Sequence, residues 1–339
     1  MPAPPVRSPP PIAPGLTHSP NTMQALLDAI QTMALPTDAQ RIFHGRGGLF
    51  PGHEQWALDW FSPVWLVTSF QPVEEAELAR LHQALAQRWA TIAPKANVPL
   101  NWVFQCRASG RAETRLMAGS VPEPHDVTEQ GARYRIHLLK GQNHGLFLDM
   151  VHGRQWVRGW AGAQAGKAKV LNLFAYTCGF SIAALQGGAK QVVNVDMSAG
   201  AMSLGQLNHA LNGLQAGASF LAHDIFKTWG KINRSGPYHL VIVDPPSFQK
   251  GSFVATKDYA RLVRRLPDLL RPGGKLMLCL NAPELNEAFL KDLMTETAPG
   301  LRFEQRLENP AVFADVDADR SLKVLVYGLP DLPPREAAP

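Results

Sequence analysis

The sequence predicts an α/β protein in which a doubly wound sheet follows a smaller N-terminal α+β domain. Three observations carry that expectation. Strand-like runs near 170–174, 191–195, 219–221, 239–243, 275–280 and 322–328 alternate with helical periodicity at 179–186, 198–212, 256–270 and 284–295. Before Leu139 the texture differs, with short strands crowded after two amphipathic helices. Finally, the apolar run Leu240-Val241-Ile242-Val243 stops against Asp244-Pro245-Pro246-Ser247-Phe248. Prolines cannot donate to a sheet ladder, and the first keeps Asp244 out of α geometry. A carboxylate on a stiff loop therefore stands at the C-terminal edge of a sheet, where ligands bind in open α/β folds.

Taken in order, residues 1–20 are proline-rich without apolar periodicity and read as a disordered tail, and 331–339 read as a second one. Apolar spacing at Met23, Leu26, Leu27, Ile30 and Met33 predicts a helix to Leu35, capped by Asn21 or Thr22. His44 to Gly52 is a glycine-rich loop. Trp65–Phe70 reads as a strand and Val73–Trp89 as an amphipathic helix, with strands at Trp102–Arg107, Thr114–Ala118 and Ala132–Leu138. The smaller domain is thus expected over 21–135 and the doubly wound one over 136–330. Arg271-Pro272-Gly273-Gly274 supplies a stop signal between the third helix of the second domain and its next strand.

Of the 339 residues, 45% are hydrophobic and 18% charged, as in ordinary globular proteins. No apolar stretch approaches the roughly 20 residues that cross a bilayer, and the N-terminus lacks the apolar core of a signal peptide. A cytoplasmic protein without a membrane partner is expected. Three scattered cysteines (Cys106, Cys178, Cys279) and eleven dispersed histidines supply neither a disulfide framework nor metal-ligand spacing, so no metal is expected. A net charge of +5 permits an RNA partner without demanding one. Monomer and homodimer both stay open.

The turn after the 170–174 strand opens a helix at Gly179-Phe180-Ser181, where small residues and free N–H groups let a ligand approach closely. Asp196 ends the next strand and is placed to take ribose hydroxyls, and Asp224 ends the third and is placed to take an adenine amino group. The bland alternative for Asp196 is a cap on the following helix. No GxGxxG is present and Gly179 alone remains in the turn, too little for a pyrophosphate. A cofactor without phosphates, S-adenosylmethionine, fits better.

These residues resemble the class I S-adenosylmethionine-dependent methyltransferases, in particular bacterial methyltransferases of large-subunit ribosomal RNA in the cytosine-C5 and guanine-N7 group. The resemblance rests on Phe174-Ala175-Tyr176-Thr177-Cys178-Gly179-Phe180, on Asp244 to Phe248, on Gln142 to Asp149 with Arg154 five residues on, and on Asp258-Tyr259 with Leu269 to Gly274. It covers roughly 100 to 328 and implies the Rossmann-like sheet of that class. It further implies a cofactor site built from Phe147, Asp149, Arg154, Asn172, Phe174, Tyr176, Thr177, Cys178, Gly179, Phe180, Asp196, Met197, Asp224, Ile225 and Asp244. Asp244, Pro245, Phe248 and Asn281 are implied as the groups that handle the substrate, and RNA, in particular 23S ribosomal RNA, as the partner. Two departures stand out. Cys178 takes a position where the family usually has glycine, which predicts a tighter enclosure of the methionine end. The chain also begins with its own helix and glycine-rich loop.

Methylation of cytosine C5 needs a thiolate to add to the ring first. Asn281 occupies the position of that cysteine in the family's cytosine branch, Cys279 lies two residues deeper, and Ser247 stands where another cytosine class has its thiol. N-methylation, with guanine N7 favoured, is the expectation. A cytosine-C5 reaction, an exocyclic amine, or a small-molecule or protein substrate are the alternatives. Lys250, Lys257, Arg261, Arg264 and Arg265 follow the Asp-Pro-Pro loop, and three of them share a helix face. That face is either a phosphate-holding surface or merely solvated. Arg107, Arg111, Arg115 and Arg46 are weaker extensions of it, and Trp56, Trp60 and Phe61 read as core.

Overall fold

The computed structural model describes residues 23–95, 98–108, 112–246 and 253–331, with the backbone of 248–249. The proposed caps Asn21 and Thr22, the tail residues 1–20 and 332–339, Arg111, Ser247, Lys250 and the Phe248 side chain lie outside the described residues.

The first half is a five-stranded sheet of β1 (Gln40–His44), β2 (Trp56–Phe61), β3 (Val64–Ser69), β4 (Trp102–Cys106) and β5 (Glu113–Ala118), in that spatial order. Helix α1 (Gln24–Thr32) and helix α2 (Glu75–Ile92) pack on it. Leu78, Leu81, Leu85 and Trp89 recur at helical spacing on α2 and bury against Trp56, Trp65 and Trp102. A reciprocal cap between Glu74 and Glu77 starts α2. Trp56, Trp60 and Phe61 are core, as expected, but they also form a strand, which alternation did not reveal because all six residues of β2 are buried.

A hairpin follows, β6 (His125–Glu129) and β7 (Ala132–Ile136), closed by Gln130 and Gly131 at positive φ. Its last pair joins His125 to Ile136, so a boundary at 135/136 would cut it.

Then come α3 (Val151–Gly162), β8 (Lys169–Leu173), α4 (Gly179–Gln186), β9 (Gln191–Asp196), α5 (Ala199–Leu211), β10 (Ala218–Ala222), α6 (Trp229–Ser235) and β11 (Tyr238–Val243). After the short pair β12 (Phe248–Gln249) and β13 (Phe253–Val254) come α7 (Ala255–Val263), α8 (Leu266–Leu269), β14 (Leu270–Leu280), α9 (Glu287–Thr297), β15 (Arg302–Arg306) and β16 (Lys323–Gly328). The hairpin docks on α5, where Asn208 and Asn212 accept the Arg135 and Arg133 amides at 2.8 Å. Seven strands form one sheet, β10-β9-β8-β11-β14-β16-β15, parallel except that β16 runs against β14 and β15. Winding reverses between β8 and β11, which creates a crevice at their C-terminal ends. Leu240 to Val243 are fully buried because side chains cover both faces of the sheet.

The expected helix 256–270 is two pieces. Pro267 lacks an N–H and its ring opposes the carbonyl of residue 263, so α7 ends there and α8 starts anew. Arg271 to Gly274 belong to β14, which begins at Leu270, rather than standing as a separate stop before the strand. Strands β1, β6 and β15 and helices α3 and α6 were not anticipated.

Candidate functional site

A cavity of about 580 Å3 opens at the C-terminal ends of β8, β9, β10, β11 and β14. Its size suits a nucleoside-bearing ligand. The loop from β8 to α4 forms one wall, and its backbone is unusual. Phe174, Tyr176 and Cys178 have φ of 57°, 47° and 67°. Such left-handed conformations cost non-glycine residues on the order of 1–3 kcal/mol each and concentrate at binding sites. The loop is held from both sides: Thr177 Oγ1 donates to the Gly145 carbonyl at 2.6 Å, and Asn208 Nδ2 donates to the Thr177 carbonyl at 3.2 Å.

Asp196 binds the same loop. One carboxylate oxygen accepts the Tyr176 amide at 2.9 Å and the other accepts the Ser198 amide at 2.8 Å. Ser198, not Asp196, caps α5 through the Ala201 amide. Asp196 therefore reaches the cavity with lone pairs to spare. Asp224 accepts the Phe226 amide at 2.9 Å and lines the cavity from the tip of β10. Phe147 and Tyr176 pack with ring centroids 5.2 Å apart at the rim, where Phe147 is exposed.

Deeper in, Asp149 and Asp244 share the wall. Burial raises the Asp149 carboxyl above its usual range. Burial, and then the Asp149 charge, push Asp244 up to about 7, with Arg154 pulling the other way. Arg154 relieves them only in part, because Glu129 holds it: Nε and Nη2 each donate to a Glu129 oxygen at 2.6 Å, and Nη2 also donates to the Phe147 carbonyl at 2.8 Å. Two repelling carboxylates give this floor a preference for a cationic ligand group.

Asp244, Pro245 and Asn281 line the cavity, as do Phe147, Asp149, Arg154, Phe174, Tyr176, Thr177, Gly179, Phe180, Asp196, Met197, Asp224 and Ile225. Asn172 and Cys178 do not. Asn172 lies inside the sheet and donates to Asn194 at 2.9 Å. Cys178 corrects the expected tighter enclosure: its sulfur packs against Gly205 of α5, where a Cβ would come within 2.5 Å of it. The left-handed φ at 178 explains why glycine suits this position. Gly205 supplies the compensating space. Glu129, Asn143, Met150 and Phe226 were missed. Phe226, two residues beyond Asp224, was within reach of the strand-tip pattern, whereas Glu129 meets Arg154 only through the fold.

A family model for the S-adenosylmethionine-dependent methyltransferases matches residues 40–328. The chain belongs to this family. The methyltransferase is 31% identical over 194 residues to ribosomal RNA large subunit methyltransferase I of Aeromonas salmonicida, covering 56% of this chain and 48% of that protein. It is 36% identical over 179 residues to ribosomal RNA large subunit methyltransferase K/L of Psychrobacter sp., covering 50% and 21% respectively. The chain thus spans about half the length, or less, of these curated relatives. SMU.776, solved with SAH bound, superposes with a TM-score of 0.73 at 23% identity, covering 91% of this chain and 78% of that one. A SAM-dependent methyltransferase from Agrobacterium tumefaciens gives 0.62 at 19%, covering 88% and 91%. Both structures share the class I fold.

S-adenosylmethionine is the cofactor of this methyltransferase, and the cavity fits it. An acid with spare lone pairs stands at each of two strand tips, and the floor favours the sulfonium and ammonium charges. Among the described residues no cluster of metal-ligating side chains occurs, and no helix is long and apolar enough to cross a membrane. Replacing Asp196 with alanine is expected to raise the cofactor Kd by about 10- to 100-fold, the worth of a lost hydrogen bond to a charged acceptor. Calorimetric titration checks this, and a change under about threefold would show that Asp196 does not hold the cofactor.

Proposed function

We propose that the methyltransferase modifies a base of 23S ribosomal RNA, with guanine N7 as the acceptor atom. The observation that carries this reading is the pairing of Asn281 in the cavity wall with Cys279 fully buried beneath it. Cys279 packs among Val170, Ile242, Met277 and Val324, and burial raises its thiol well above the usual range. A thiolate at that depth cannot add to a cytosine ring. Cys178 is equally buried, its thiol raised by burial and then by Asp196, beyond any thiolate role.

Guanine N7 carries a free lone pair and needs no proton removed. When bound, S-adenosylmethionine supplies an electrophilic methyl group. The protein's task is then alignment, which alone accounts for a large share of such barriers. In this reading Asp244 and the Pro245 carbonyl hold the base edge and Asn281 adds a hydrogen bond. The base is unstacked from its strand to enter. Arg261 lies 4.3 Å from the ring of Phe226, a cavity residue, and with exposed Lys257 and Arg264 it brings a positive face of α7 to the mouth. The related proteins' names point to the same substrate.

Nucleoside mass spectrometry of 23S ribosomal RNA from cells with and without the gene tests the reading. Loss of one 7-methylguanosine is expected, loss of 5-methylcytidine would overturn the acceptor atom, and an unchanged profile would overturn the substrate. Cys279→Ala is expected to keep turnover within about threefold of the parent, because it removes only a core sulfur. Loss of turnover together with a covalent RNA adduct in the parent would restore the cytosine mechanism.

A further inference from the structure

The glycine-rich loop His44 to Gly52 has no part in the cavity, yet it brings cations together. Gly45 and Gly47 lie against the backbones of His53 and Ala314 so closely that an added Cβ would fall 1.9 and 2.0 Å from their carbonyl oxygens. That packing fixes Arg46 between them. Its guanidinium carbon sits 4.3 Å from the centre of the Phe70 ring, and Arg107 reaches the same ring at 6.0 Å. Among the described residues neither arginine makes an ion pair. Asp59, the nearby acid, is taken by Arg41, which contacts both of its oxygens. Arg41 also donates to His44 Nδ1 at 2.8 Å. Burial, then Arg41 and Arg46, hold His44 down to about 3, so it is neutral. Burial also draws Arg107 down to about 10, with Arg41 and Arg46 adding to that pull against Asp59. Positive charge is in excess here, which favours an anion.

The cluster adjoins the cavity. Arg107 Nη2 donates to the Gln142 carbonyl at 2.7 Å and lies 3.4 Å from His144 Nε2. Asn143, between them, is exposed and lines the cavity, as does Gly145. Arg261 stands against Phe226, which lines the same cavity. Two arginine–phenylalanine contacts therefore adjoin one cavity.

We propose that Arg46 and Arg107, presented on Phe70, form a phosphate site for the RNA strand that delivers its base to the cavity. This deepens the RNA reading and rests on it. Arg107 also holds the Gln142 to Gly145 wall, so occupancy of the phosphate site and of the cavity share one strut. Arg46, exposed and free of such duty, is the position to test.

The experiment measures binding of the full chain to a fluorescein-labelled single-stranded fragment of 23S ribosomal RNA across salt concentrations, with cofactor affinity measured alongside. Arg46→Ala is expected to weaken RNA binding by about 5- to 10-fold near 0.1 M salt. It should lower the slope of log Kd against log salt by about 0.7, the share of one phosphate on a single strand. Cofactor Kd should stay unchanged, and Arg46→Lys should restore the slope. If the parent binds RNA and Arg46→Ala matches it in both Kd and slope, the phosphate site is wrong and the RNA reading stands. A parent without salt-dependent RNA binding sinks the RNA reading itself. Weakened RNA and cofactor binding together, unrescued by lysine, would make Arg46 a loop anchor and overturn the proposal.

Discussion

Asp244→Asn is expected to make the methyltransferase more stable and nearly inactive. The carboxyl titrates near 7 in the folded chain, against an ordinary value of 3.8. Between about pH 4 and pH 7 the folded state therefore holds a proton that the unfolded state has released. Stability from this group is greatest at low pH, falls as pH rises through 7, and stays at its minimum above that. Asp244 still meets water through the cavity, so the cost of its charge at pH 8 is on the order of 3 kcal/mol rather than the full shift. Asparagine removes the charge and keeps the shape. Its Tm at pH 8 is expected several degrees above the parent's, with the gap closing toward pH 4. Turnover is expected to fall at least about 100-fold, the usual loss when one preorganised polar group leaves a reaction site. Cofactor affinity should carry the same signature. In the parent the Kd is expected to drop about tenfold from pH 6 to pH 8 as Asp244 ionises, and in Asp244→Asn it should be flat. Thermal scans and calorimetric titrations across that range check both arms. A variant less stable than the parent at pH 8, or a pH dependence that survives the substitution, would show that Asp244 does not carry the charge deficit.

The reason Asp244 is strained explains what was legible in the sequence. A strand that ends in an acid and two prolines exposes its carboxylate by local rules alone, and the same holds for Asp196 and Asp224 at the tips of β9 and β10. Alternation of strands with amphipathic helices likewise carried the second domain into a doubly wound sheet. What stayed hidden depends on pairings far apart in the chain. Asp149 meets Asp244 across 95 residues, and no periodicity encodes that. Arg46 and Arg107 meet on Phe70 for a similar reason. Helix α3, with Gly153, Gly159 and Gly162, has weak intrinsic propensity and forms because Val157 and Ala161 bury against the sheet. Cys178 shows the reverse case, a local oddity whose consequence lay elsewhere, at Gly205.

Glu129→Ala is expected to be strongly destabilising, by about 3–5 kcal/mol. Arg154 is 6% exposed and Glu129 4%, and their two parallel contacts at 2.6 Å are the compensation for burying either charge. Alanine leaves the guanidinium, among the described residues, with one acceptor, the backbone carbonyl of Phe147. A fall in Tm of roughly 10 °C is expected, and a loss under about 1 kcal/mol in chemical unfolding would mean that water reaches the pair and screens it. The double variant Glu129→Leu with Arg154→Met separates energy from positioning. Replacing both charges by apolar groups of similar length is expected to recover most of the stability, since the desolvation cost disappears with the attraction. Cofactor affinity should not recover with it. Arg154 Nη2 tethers the Phe147 carbonyl, and that tether sets the chain immediately before Asp149, while the arginine's charge partly offsets both cavity carboxylates. A methionine at 154 does neither. Stability restored without binding would therefore identify Arg154 as the residue that positions the cavity floor, and restoration of both would reduce it to a packing element.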